Sequence, residues 1–235
     1  MKRYIIILLS LFPFAGWVAA QDKQVIETSS GENLAEKVLP QVQYIFPEFT
    51  TGDVYFLDDS KGSAMLNYNR LIGEMQFLEG NNVMAIDEVK KIIFVDINHR
   101  KFYPLNRNEF TEELLTTRTY ALHVLHRAYA TPHSKKGGYG TSSSAAAITT
   151  YNAISGSNKM HDLTVTENVL ITLHQKYYLV GAKGRHILIK NSRTFTKLFP
   201  NHREQIETFV MDNDLWFHKE EDLKKILEYC NNLSN

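Results

Sequence analysis

The chain has 235 residues, 43% hydrophobic and 22% charged, with 26 Lys+Arg balanced by 26 Asp+Glu and one cysteine. That is the make-up of an ordinary globular protein able to bury a core. A lone cysteine excludes an internal disulfide, and zero net charge gives no reason to expect a nucleic-acid partner.

Lys2 and Arg3 open the chain, and an apolar run over 5–19 follows, broken by Ser10, Pro13 and Gly16. Val18, Ala19 and Ala20 place small residues where a signal peptidase cuts, so 1–20 read as a secretory signal with cleavage near Ala20-Gln21. The run is short for a bilayer span, which needs ~20 apolar residues, and no later segment is long and apolar enough. The expected location is therefore periplasmic or extracellular, with no transmembrane span in the mature chain.

Residues 21–43 read as a lead-in with a short helix over 24–42, capped by Ser29 or Ser30, striped by Leu34, Val38 and Leu39, and stopped by Pro40. Residues 44–190 read as a β-rich domain. Gly52–Leu57 alternates weakly, 58–62 is turn chemistry, and 64–69 puts Leu66 and Tyr68 opposite Asn67 and Asn69; Met75 and Phe77 resume the pattern. Residues 92–97 and 102–105 flank Asn98, His99, Arg100 and Lys101 as hairpin arms would. Residues 110–130 fit either helix or strand, though Thr116, Thr117, Thr119 and Tyr120 favour strand. The choice matters for His123 and His126: they share a face on a helix and oppose each other on a strand. Further strands are expected at 163–166, 169–173, 177–180 and 186–189, with a turn at 181–184. A flexible loop is expected at 131–151.

Residues 191–235 read as a small helical segment packed on the sheet. Asn201 and Glu204 have capping-box spacing, ahead of an apolar face of Ile206, Phe209 and Val210. The last helix carries Leu223, Ile226 and Leu227, and Cys230 near its end reads as a half-buried structural thiol. The fold class is thus α+β: an antiparallel β-rich body, whether sheet, roll or partly open barrel, with a small C-terminal helical segment.

Three sets of phrases carry a resemblance. They are Phe46-Pro-Glu-Phe-Thr-Thr-Gly-Asp-Val-Tyr-Phe with Ala64-Met-Leu-Asn-Tyr-Asn-Arg-Leu-Ile-Gly-Glu-Met-Gln-Phe, Lys135-Lys-Gly-Gly-Tyr-Gly-Thr-Ser-Ser, and Leu198-Phe-Pro-Asn-His-Arg-Glu-Gln-Ile-Glu-Thr-Phe with Glu220-Glu-Asp-Leu-Lys-Lys-Ile-Leu-Glu-Tyr. Together, over about 44–231, they resemble a family of secreted or periplasmic proteins of Bacteroidetes-type Gram-negative bacteria that brings no established activity. The resemblance implies an exported envelope protein and carries over no catalytic residue.

No motif for chemistry stands out. In 133–151 the lysines precede the glycines, which breaks the P-loop order, and no serine has the Gly-x-Ser-x-Gly setting. His123, His126 and His133 form the best histidine cluster, but no carboxylate or cysteine is close in sequence, so neither metal nor cofactor is expected. Asp58-Asp59 and Glu112-Glu113 read as solvated acids at a turn and a helix start. What does stand out is charge order. Residues 21–114 hold 9 Lys+Arg and 16 Asp+Glu, 115–197 hold 11 and 2, and 198–235 hold 4 and 8. The basic middle nominates Arg118, Arg127, Lys135, Lys136, Lys183 and Arg185, with the glycine-flanked Tyr139, as a surface for an anionic envelope ligand or a protein partner. The bland reading is that acidic flanks neutralise it. The functional expectation is a non-enzymatic binding module; the alternatives are an envelope-polymer hydrolase with a site assembled from distant residues, or a structural subunit of an envelope complex.

Overall fold

A computed structural model describes residues 23–26, 32–33, 37–132, 164–165 and 169–233. Thirteen strands dominate it: β1 Lys23–Ile26, β2 Glu32–Asn33, β3 Thr50–Phe56, β4 Lys61–Asn69, β5 Glu74–Glu79, β6 Asn82–Ala85, β7 Ile92–Ile97, β8 Arg100–Pro104, β9 Phe110–Thr116, β10 Tyr120–Pro132, β11 Thr164–Val165, β12 Val169–Gly181 and β13 His186–Leu188. The helices are α1 Pro40–Gln43, α2 Ser192–Leu198, α3 Arg203–Asp212 and α4 Glu220–Leu233. All strand pairs are antiparallel, and the main sheet runs β1-β12-β10-β9-β8-β7-β3-β4-β5-β6, with β13 also on β12. The sheet is open, and the expected α+β architecture with a C-terminal helical segment holds. No helix among the described residues is long and apolar enough to cross a membrane.

Alternation builds the inner face. The register aligns Leu66 with Phe77, Val54 with Val95, Val95 with Phe102, Phe102 with Glu112, Glu112 with Val124 and Val124 with Tyr177, so these side chains share one side of the sheet. Three apolar clusters fill that side. Phe46, Leu66, Tyr68, Met75, Val95, Phe102 and Phe110 form one; Val38 and Val42 pack on Leu71, Ala128 and Ile171 in a second; α2–α4 cover Leu122, Val124 and Leu179 in the third. The sheet curls as it goes, so that Arg70 at the end of β4 accepts a main-chain hydrogen bond from Ala128 of β10 at 2.9 Å. Asn67, buried in β4, holds the incoming chain by donating to the Phe46 and Glu48 carbonyls.

Several sequence expectations change. Residues 23–26 are strand, not helix, and Pro40 opens α1 at its first turn instead of closing a helix before it, because its fixed φ suits a helix start and its missing N–H costs nothing there. The segments 169–173 and 177–180 belong to one strand, β12. Asn201 caps no helix; it lies in a 3-10 turn at Pro200–His202, and the side-chain cap in this region is Asn191, which accepts from Arg193 N at the start of α2. Residues 110–130 form two strands, as the threonines suggested, joined by a turn in which Thr117 N donates to Tyr120 O. Leu34 and most of the expected 131–151 loop lie outside the described residues.

Candidate functional site

Perturbed titratable groups gather where β8, β9 and β10 meet, and perturbed groups mark candidate sites. The cause is strand β9 itself. Its sequence Phe110-Thr-Glu-Glu-Leu sends Glu112 to the inner face with Phe110, and Thr111 and Glu113 to the outer face.

On the inner face Glu112 is buried among apolar neighbours and takes its partners from both flanking strands. Arg100 of β8 donates from Nε at 2.5 Å and from Nη2 at 2.7 Å, and His126 of β10 donates from Nε2 at 2.8 Å. Burial alone would raise this carboxyl, but the hydrogen bonds from His126 and Arg100 overcome it and bring its pKa down to about 2. The Arg100 guanidinium lies 4.9 Å from the Phe46 ring centroid. Arg70 stands close enough to feel that charge: burial first, then Arg100, lower its pKa to about 10, and its Nη2 donates to the Gln41 and Tyr44 carbonyls.

On the outer face the Thr111 hydroxyl lies 3.0 Å from His123 Nδ1 and 3.1 Å from His186 Nε2, so one oxygen links β10 to β13. His123 is 2% exposed. Burial first, and His186 second, lower its pKa to about 4, and burial also lowers that of His186. Glu113 Oε2 stands 4.0 Å from His123 Nε2. Beside it the Tyr103 hydroxyl is pushed up to about 12, by burial first and then by Glu113. The rings continue across the sheet: Tyr55–Phe94 at 4.4 Å, Phe94–Tyr103 at 5.6 Å, Tyr103–His123 at 5.1 Å, His123–His186 at 5.6 Å and His186–Tyr178 at 5.9 Å. Tyr55 and Phe94 stack at 20°, and Lys61 and Lys101 stand 5.4 Å over the Tyr55 and Phe94 rings. The row braces neighbouring strands across the sheet.

The arrangement fits support better than turnover. Thr111 is fully buried, His123 nearly so, and Glu112 is held by Arg100 and His126, so these three groups are closed to a substrate. Among the described residues no three His, Cys, Asp or Glu side chains are grouped to hold a metal ion.

The cations nominated by sequence divide. Lys183 and Arg185 sit exposed in the β12–β13 turn and form no ion pair among the described residues. Arg118 is exposed in the β9–β10 turn, where its main-chain N donates to Asn231 Oδ1. Tyr120 pairs with Gly181, which sets the two turns side by side at one end of the sheet. Arg127 is not in that group. It is 13% exposed, 3.3 Å from Glu109 Oε1 and 6.0 Å from the Tyr129 ring centroid. Lys135, Lys136 and Tyr139 lie outside the described residues.

Comparison with family models, curated proteins and solved structures finds no match to this chain.

Sequence reasoning weighs Glu112 and His126 but joins neither to the other, and it misses Arg100 and the Thr111–His186 link. A signal for Glu112 existed: it shares strand parity with Phe110, an apolar residue, and so faces the core.

Proposed function

We propose that this chain is an exported cell-envelope protein acting as a non-enzymatic binding module, which docks an anionic ligand or the acidic surface of a protein partner at the end of the sheet carrying Arg118, Lys183 and Arg185. The observation that carries the reading is the meeting of the two turns: residues far apart in sequence stand next to each other, exposed, with Lys183 and Arg185 free of ion pairs among the described residues. Cations so placed attract anions over about a Debye length, ~8 Å at physiological salt. The scaffold beneath is stiff, because β10 and β12 pair over thirteen residues each and the Thr111 hydroxyl of β9 joins β13 to β10. The leader-like residues 1–20 support export, which places lipopolysaccharide and acidic glycans within reach.

Retention on a heparin or lipopolysaccharide matrix, eluted by salt, tests it. The Lys183→Glu/Arg185→Glu variant is expected to bind about tenfold more weakly, since each exposed charge contributes up to ~1 kcal/mol. Unchanged retention with an unchanged fold overturns the reading.

A further inference from the structure

The sheet ends at β6, and we propose that this edge takes an extended segment of another protein as an added antiparallel strand, apolar at its centre and basic at its ends. Glu79 pairs with Asn82 across a tight turn at Gly80 and Asn81, and Ile86 N donates to Met75 O. In that register Asn82, Met84 and Ile86 turn their main-chain groups to β5. Val83 and Ala85 turn theirs outward, as a template for a further strand. Within its four residues the edge lacks three of the usual guards: Asn82–Ala85 holds no lysine, no proline and no bulge. Instead Val83 is 43% exposed and Met84 42% exposed. Met84 lies opposite Phe77, which with Phe56, Ala64 and Ile86 lines an apolar groove on the same side, so apolar residues of an incoming strand would extend a surface already there.

Charge decides between occupants. Glu79 stands at one end of β6, and Asp87 and Glu88 follow the other. Glu74 on β5 feels the same crowding: burial first, then Asp87, raise its carboxyl pKa. A second copy of this chain fits poorly. Antiparallel pairing of two β6 edges about Val83 brings the turn that carries Glu79 in each copy towards Asp87 and Glu88 of the other, and acids gathered at one seam repel. A segment with lysines or arginines flanking an apolar centre meets the same positions with opposite sign. The surface is separate from the cationic turns, so the proposal does not depend on what binds there.

Amide hydrogen exchange tests it, with the full chain and two blocked synthetic peptides. Both have a Val-Thr-Val-Thr-Val centre; one has paired lysines at each end, the other paired glutamates. The lysine peptide is expected to slow exchange at Val83 and Ala85 about tenfold, with the glutamate peptide without effect. Val83→Pro removes an outward N–H and abolishes the protection. Should that variant fail to fold, Glu79→Lys/Asp87→Lys reverses the preference between the peptides. Equal response to both peptides overturns the proposal, as does protection confined to other strands. Protection of Val83 and Ala85 without peptide also overturns it: concentration-dependent protection means self-pairing, and protection in the dilute monomer means the chain covers its own edge.

Discussion

Glu112 and His126 meet at 2.8 Å inside the sheet, two residues apart in diagonal register, and Arg100 closes the same carboxylate from the other side. Removing one member of a buried pair leaves its partner charged and unsatisfied, which costs more than the pair itself is worth.

Glu112→Gln is therefore expected to lower stability by about 3 kcal/mol, read from the denaturant midpoint at neutral pH. The wild type should show a matching acid limb. The folded pKa of about 2 lies below the ordinary 4.5, so the contribution is complete above about pH 4.5 and disappears as pH falls towards 2. The variant lacks that limb; an identical pH profile in both proteins refutes the assignment.

His123 governs a separate window. Its folded pKa of about 4 lies below the ordinary 6.5, so the unfolded chain binds the extra proton first, and stability falls as pH drops from about 6.5 towards 4. The groups facing it are Thr111 and Glu113 of β9, Tyr103 of β8, Tyr178 of β12 and His186 of β13. His123→Gln should be shallower than wild type across that window, with the contribution of the buried His186 remaining, and melting temperature at pH 4.5 and pH 7 is the readout. A slope equal to wild type assigns the titration elsewhere.

Gly73 holds φ +75°, and a Cβ there would stand 1.8 Å from Arg127 Nη1. Gly73→Ala combines left-handed strain with displacement of a buried guanidinium, and a loss of about 2 kcal/mol or more is expected. In an Arg127→Met background the cost should fall to about 1 kcal/mol, the strain alone. Equal costs in the two backgrounds would show that the guanidinium moves aside freely.

Cys230 is fully buried in the helical cluster, and burial pushes its thiol up to about 12. A thiol in that state is inert. A chromogenic disulfide reagent should not react with the native protein and should react stoichiometrically once denaturant unfolds it. Rapid labelling of the native state is the contrary result.

Much of the fold was legible because period-two alternation with turn residues survives in single segments: the hairpin about residues 98–101 forms, though its turn is only Asn98 and His99, with φ 53° and 62°, and Arg100 and Lys101 already belong to β8. The stripe Leu223, Ile226 and Leu227 is fully buried, as amphipathic spacing requires. The lead-in was not legible, because Pro40 starts and stops helices with equal ease, and β1 owes its strand form to pairing with β12, distant in sequence. The site was half legible. The strand reading correctly sent His123 and His126 to opposite faces, yet Glu112 and Glu113 were taken as a solvated pair. Adjacent acids on a strand have separate fates, and only the register with Arg100 and His126 separates them. The basic middle is one surface in the sequence reading, whereas Arg127 pairs with Glu109; of the nominated cations among the described residues, Arg118, Lys183 and Arg185 are the exposed ones.

The lone main-chain bond from Ala128 to Arg70 is also a mechanical statement. A load pulling those two strands apart tears one main-chain bond and the apolar packing of Leu71 and Ile72 with Ala128, while the long β10–β12 ladder must shear many main-chain bonds at once. The molecule should thus open like a book along that spine. Solvent would enter first beside Arg70 and the diagonal triad, well before the helical lid lets go.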